Sequence, residues 1–391
     1  MLKCTSIHTY EIDDRETALN EIQAQISEKI SFSENTIGIV MCHTEFIMSG
    51  MMQHICENMP FKTVGVTTTT QAVNGEAGEL ILTIFVMTSD DIRFVPGITK
   101  SLENGFENEI KEACENASKD ENDEPGLALI FPPFIVSHTG DDYIKSWHNC
   151  IPNTPLFGTF SIDDTPNFAE SETIFNGISS KTAMPFVLCY GKINPRFIIG
   201  TIPKGNNLPY RGEVTKSTGP FVHEINNIAA YRYFESIGFE SDSISSVNYL
   251  LLPFSIDQKA RVDYDGIPVI RVLDTFTEDG SAIFHGNVDE GSIFTLQNCE
   301  SADVISVTQQ IIEQINETED INGVLIFSCV LRRIATMKDN HNEEFYDVRD
   351  TLRPDIPFMM GCAGGEICPT FIKDGVPTNR YHNFSIVTLI V

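Results

Sequence analysis

The sequence predicts a mixed α/β fold, α+β in its balance, in a two-domain layered architecture of mixed β-sheets flanked by helices. Three observations carry that prediction. The 391 residues exceed what one core usually organises, and 41% of them are hydrophobic. Short apolar runs of strand type alternate with amphipathic helical stretches. One arrangement of these elements recurs three times.

Residues 1–29 read as a leader strand and helix, and residues 30–203 as a first domain. The first recurring unit opens with GIVM (38–41), a continuous apolar run entered from glycine, as a strand covered on both faces should be. A proline then starts PFKTVG (60–65), where its missing N–H costs no ladder bond. TTTTQAV follows the glycine, and LILTIFVMT (80–88) closes the unit. Residues 103–117 predict a helix, and the charged stretch 118–126 a surface loop. The second unit repeats the order with GLALIF (126–131), PLFG (155–158), TFSIDD and MPFVLCY (184–190).

Residues 204–220 lack an apolar period and carry several glycines and prolines, which reads as a polar connector to a second domain, 221–391. Helices are predicted over 221–237 and 302–315, the latter with Ser301 as N-cap and Val304, Val307, Ile311, Ile312 and Ile315 on one face. The third unit is GVLIF (323–327), PFMMG (357–361), CAGGEICP and FSIVTLI (384–390). In each unit the glycine is expected to permit a sharp turn or a positive φ. The loops that follow are where α/β layers usually hold ligands.

With 55 acidic against 26 basic residues the formal charge is −29, which repels phosphate backbones and anionic headgroups. Nucleic acid and membrane surfaces are therefore poor partners. The opening MLKCTSIHTYEIDDRE lacks the apolar core of a signal peptide, and no apolar run reaches the roughly 18 residues of a membrane span. A cytoplasmic protein is expected. Ten cysteines without a C-x-x-C point to reduced, mostly structural thiols, with neither a zinc ribbon nor a thioredoxin-type pair.

GCAGGEICP (361–369) is glycine-rich but has no lysine or serine after its glycines, and Glu366 would repel a phosphate. Cys329 and Cys362 are expected at the same end of neighbouring strands, with His382 approaching them. Arg332 or Arg333 could lower a thiol pKa there or offer a planar donor fork to a carboxylate. Thr67, Thr68, Thr69 and Thr70 occupy the matching loop of the first unit and Asp163 and Asp164 that of the second. Their hydroxyls suit a small polar ligand or an ordinary strand end equally. No G-x-S-x-G, H-E-x-x-H or EF-hand pattern occurs, so neither a catalytic nor a metal residue is assigned.

PFKTVGVTTTT (60–70), IPNTPLFGTFSIDD (151–164) and TIFNGISSKTAMPFVL resemble the N-terminal FIST domain, named for F-box and intracellular signal transduction proteins. DGSAIFHGNVDEGSIFTLQN (279–298), GVLIFSCVLRR, GCAGGEI and HNFSIVTLIV resemble its companion, the C-terminal FIST domain. The resemblance implies a sensory input protein that binds a small ligand such as an amino acid or other small carboxylate. It also implies signalling in trans to a histidine kinase, chemoreceptor or cyclic-di-nucleotide enzyme. The family pattern falls on Cys329, Arg332 or Arg333, Gly361, Gly365, Glu366, His382 and Asn383. With Thr67, Thr68, Thr69 and Cys362, these side chains form the candidate ligand set. The resemblance also offers a haem-dependent nitric oxide sensor, for which His43, His54, His138 and His148 are axial candidates. A third reading makes Cys329 the nucleophile of an enzyme.

Overall fold

The computed structural model of the chain describes residues 1–203, 205–239, 252–259, 266–337 and 342–391. It is a mixed α+β protein whose three sequence units become three equivalent modules. In each, a first strand runs parallel to a second strand and antiparallel to a closing strand. These strands are Asn35–Cys42, Lys62–Thr67 and Leu82–Ser89 in module 1. In module 2 they are Leu127–Ile130, Leu156–Thr159 and Pro185–Gly191. In module 3 they are Val324–Cys329, Phe358–Ala363 and Ile386–Ile390.

The structure extends each repeat beyond what its sequence reveals. A lead strand lies against each closing strand: Lys3–Thr9, Ile92–Ile98 and Arg196–Gly200 in turn. A helix follows each lead strand: Arg15–Lys29, Phe106–Ser118 and Ser301–Glu317. The polar loop after each second strand leads into a hairpin, and that hairpin joins the sheet of a different module. Module 1 gives Gln71–Val73 to the second strand of module 3, pairing Val73 with Met359. Module 3 gives Glu366–Lys373 to module 2, pairing Ile367 with Gly158. Module 2 gives Thr173–Phe175 to module 1, pairing Ile174 with Gly65. This closed exchange covers the edge of every second strand.

Strand alternation sorts the core. Ile37, Ile39 and Met41 meet Leu129, Phe157, Phe327 and Leu389 in a central cluster shared by all three sheets, where the Phe157 and Phe327 rings stack at 5.1 Å. Val40 and Cys42 of the same strand face outward, against helical Ile22, Ile26 and Ile55. Burial on both faces explains the unbroken apolar runs. In the helix Ser301–Glu317 the predicted stripe from Val304 to Ile315 is buried. Its N-cap is Glu300, one residue before Ser301, with the Glu300 amide donating to Asp303 at 2.9 Å.

Between lead strand and helix, module 3 carries an inserted β-rich unit. Its neck is closed by the Asn298 amide donating to the Asn206 carbonyl at 2.9 Å. Its own core gathers Phe234, Phe254, Phe284 and Phe294. The stretch expected as a polar connector is here the strand Asn207–Thr218, polar because most of its side chains face solvent. The helix expected over 221–237 is only Ala230–Ser236. Before it comes the hairpin Phe221–Ile225 and Ile228–Ala229, turned by Asn226 and Asn227 at φ 52° and 62°.

The unit glycines also work differently from expectation. Gly65, Gly158 and Gly361 lie inside their second strands, and none has a positive φ. A Cβ on Gly65 or Gly158 would sit 1.7 Å from the carbonyl oxygen of Val40 or Ile130 on the neighbouring strand. Close approach of backbones, rather than turning, requires glycine there.

Candidate functional site

The three loops singled out in the sequence meet at the centre of the modules and interlock. The Ile162 amide donates to the Thr67 carbonyl at 3.1 Å, Cys362 to Thr70 at 2.9 Å, and Phe160 to Gly365 at 3.2 Å. Thr67, Thr68, Thr69 and Thr70 are buried here. Thr68 donates to the Cys362 carbonyl at 2.7 Å, and Thr67 Oγ1 accepts from the Glu172 amide at 2.9 Å. These threonines therefore join modules to one another.

A cavity of about 190 Å³ lies beside this hub, where module 3 meets module 2 and the inserted unit. Module 3 contributes Cys329, Val330, Leu331 and Asn383, and module 2 contributes Phe134 and Phe168, whose rings meet edge-on at 5.0 Å. Asp274 and His285 of the insertion complete the wall, 3.7 Å apart. Two non-glycine residues lining this cavity adopt the left-handed region, Asn167 and Phe168 at φ 58° and 52°, as does Phe384, which follows the lining residue Asn383, at φ 55°. Each such conformation costs about 1–3 kcal/mol for a bulky side chain and concentrates at ligand sites.

Behind the Cys329 wall stands Glu366, fully buried. Ser385 donates to its Oε2 at 2.6 Å, while its Oε1 has no hydrogen-bond partner. The Asn383 carbonyl oxygen is likewise buried and unpartnered. Burial holds the Glu366 carboxyl well above the usual carboxylate range, against the opposing pull of Ser385 and Arg332. Burial and the Glu366 carboxyl together push the Cys329 thiol well above its ordinary value, so at neutral pH it is a thiol rather than an activated thiolate.

Of the candidate set, Cys329 and Asn383 line the cavity and Glu366 lies behind Cys329; the others do not line it. Cys362 lies beside Ser328 across the parallel pair, and burial pushes its thiol to about 12. His382 pairs with Glu366 across its hairpin, and its Nε2 lies 3.1 Å from the Cys368 carbonyl. Arg332 is wholly buried in a pair with Glu344 at 2.7 Å and also donates to Thr308 and the Val304 carbonyl. Arg333 reaches Glu79 at 2.7 Å on the far side of the hub, and Asp164 there holds His43 at 2.9 Å.

The chain matches the family model of the FIST N domain over residues 36–228 and that of the FIST C domain over residues 229–369. The chain belongs to the FIST family. No curated protein shows a match to it. FIST domains are associated with sensing in signal transduction. The junction between the two matches falls inside the inserted unit, so the FIST N match takes in module 1 beyond its lead strand and helix, module 2, the lead strand of module 3 and the start of the insertion. Among the described residues of this FIST protein, no helix is long and apolar enough to cross a membrane.

A haem does not fit the FIST cavity. Its volume lies below the roughly 300–1,000 Å³ of pockets for drug-sized ligands. His54 faces Glu16, His138 reaches the Leu102 carbonyl, and His148 is exposed, so with His43 none of the four expected histidines lines it. The sequence reading missed His285, Asp274, Phe134 and Phe168, which lie on other elements, far along the chain from Cys329. It also missed the clamp between the insertion and the modules, Arg271 paired with Asp141 at 2.9 Å and donating to the Tyr381 carbonyl at 3.0 Å. A cue was present in the YHNF run (381–384), of which only His382 and Asn383 were singled out.

Proposed function

We propose that this FIST protein is a cytoplasmic sensory protein whose ligand is a small molecule bearing an amino group, of amino-acid size. One observation carries the reading: a small cavity walled largely by apolar side chains, with one buried acceptor without a donor in its lining, Asn383 Oδ1, and a second, Glu366 Oε1, behind Cys329. An unpartnered buried acceptor costs about 1–3 kcal/mol, which a ligand N–H relieves. An ammonium group would donate to Asn383 in the wall and favour ionisation of Glu366 behind Cys329, while Phe134, Phe168 and Leu331 receive a short apolar side chain. The cavity lies between the insertion and modules 2 and 3, so a ligand that prefers one arrangement of these parts shifts their relative position. That shift is the signal offered to a partner such as a histidine kinase, chemoreceptor or cyclic-di-nucleotide enzyme. The protein acts here as a binding module rather than an enzyme.

Thermal unfolding with matched panels of amino acids, small amines and simple carboxylates tests this. A ligand at a hundred times its Kd adds about 2.7 kcal/mol. Amino compounds are expected to stabilise the protein and Glu366→Gln to abolish the effect. Stabilisation by carboxylates without an amino group, or an unchanged response in Glu366→Gln, would overturn the reading.

A further inference from the structure

Away from the cavity, two thiols distant in sequence meet on the outer face of module 2. Cys114 lies in the helix Phe106–Ser118, and Cys150 is the last residue of the helix Gly140–Cys150. The two thiols lie within interaction range of each other, and Cys150 donates to the Ser146 carbonyl at 3.4 Å. Cys114 is buried and Cys150 half-buried, and both line a surface cavity of about 390 Å³ with Lys111 and Glu115 at its rim. Solvent therefore reaches Cys150 first.

We propose that Cys114 and Cys150 form a dithiol oxidation site, at which a peroxide joins the two helices by a disulfide. The Cys150 thiolate attacks one peroxide oxygen, the O–O bond breaks, and the departing hydroxide takes up a proton to leave as water. The Cys114 sulfur then attacks the Cys150 sulfenic acid, an S–S bond forms, and the sulfenic oxygen leaves as a second water carrying the Cys114 proton. Two thiols lose two electrons, and the peroxide gains them.

The division of labour between the thiols follows from their surroundings. The neighbouring Cys114 thiol lowers the Cys150 pKa below the ordinary thiol value, with Lys111 assisting and burial and Glu115 opposing. Cys150, with burial, in turn pushes Cys114 up, as suits the resolving partner. Burial alone pushes up Cys4, and it is the main reason Cys299 stands at about 12; these are the other two half-buried thiols.

Treatment of the full chain with limiting hydrogen peroxide, followed by non-reducing peptide mapping, decides the matter. The Cys114–Cys150 disulfide is expected before oxidation of any other cysteine. Without peroxide, iodoacetamide should label Cys150 at least about tenfold faster than Cys4 or Cys299. In Cys114→Ser, dimedone should trap a sulfenic acid on Cys150; in Cys150→Ser, Cys114 should remain a thiol. Oxidation of other thiols with no Cys114–Cys150 cross-link in the wild-type chain would overturn the proposal. So would undiminished Cys114 oxidation in Cys150→Ser.

Discussion

At the scale of single residues, Glu366 is the group whose surroundings and chemistry conflict most. A carboxyl buried among Cys329, Ser385 and Tyr381, whose neighbouring cation Arg332 is already paired with Glu344, keeps its proton in the folded protein to a higher pH than in the unfolded chain. The folded state then binds more protons than the unfolded state across that interval, so stability falls as pH rises. The contribution is fully present below the ordinary glutamate value of 4.5 and is lost as pH climbs towards the raised folded value. While one proton separates the two states, the slope is about 1.4 kcal/mol per pH unit. Glu366→Gln has nothing to ionise. Chemical denaturation as a function of pH should therefore show the variant equal to the parent near pH 4 and increasingly more stable above pH 5. A parallel pair of profiles would mean that Glu366 is ionised in the fold. Arg332 shows the opposite solution: its charge is also buried, but its Nε and Nη2 donate to Glu344, Thr308, Ser328 and the Val304 carbonyl. Sequence shows both as charged residues near a glycine-rich loop; only the packing distinguishes an answered charge from an unanswered one.

At the scale of elements, the parts legible in the sequence are those set by local chemistry. GIVM, GLALIF and GVLIF are strands because their runs are apolar on both faces, and the prolines at 60, 155 and 357 precede their second strands by one or two residues. The hairpins escaped notice because residues 71–78 and 173–180 are short and carry turn residues, and nothing local says which sheet edge they will cover. Residues 207–218 escaped because a half-solvated strand is polar along most of its length. The glycines were legible as necessary but not for the right reason, and substitution separates the two reasons. Gly158→Ala places a methyl group against the Ile130 carbonyl, which neither backbone can yield without breaking the parallel ladder. Its expected cost is at least about 3 kcal/mol. Gly105→Ala, at φ 91° but facing open space, should cost only about 1–2 kcal/mol. Equilibrium urea unfolding compares them, and equal losses would show that close approach is not what glycine supplies at 158.

At the scale of the molecule, the cyclic exchange of hairpins makes the three modules one cooperative body, whereas the insertion is attached by a neck. Residues 1–203 alone would leave the hairpin Gln71–Gly78 without Phe358–Ala363 and remove Phe327, Met359 and Leu389 from the shared core. The insertion differs because its chain enters and leaves through the hydrogen-bonded Asn206 and Asn298 and packs around its own phenylalanines. Its removal bares an apolar patch of Ile202, Leu331 and Phe384 and leaves Asp141 without Arg271, a loss of several kcal/mol but not of any module strand. It also strips Asp274 and His285 from the cavity while sparing Cys329 and Asn383. Deleting residues 207–297 and joining Asn206 to Asn298 should therefore yield a protein that still unfolds in a single transition, at a lower temperature. Amino compounds should no longer stabilise it. Calorimetry with and without the amino-compound panel reads both outcomes. Loss of all cooperative unfolding would show that the insertion is integral to the three-module body. Retained stabilisation by amino compounds would place their site within the modules alone and remove the rearrangement on which the proposed signal depends.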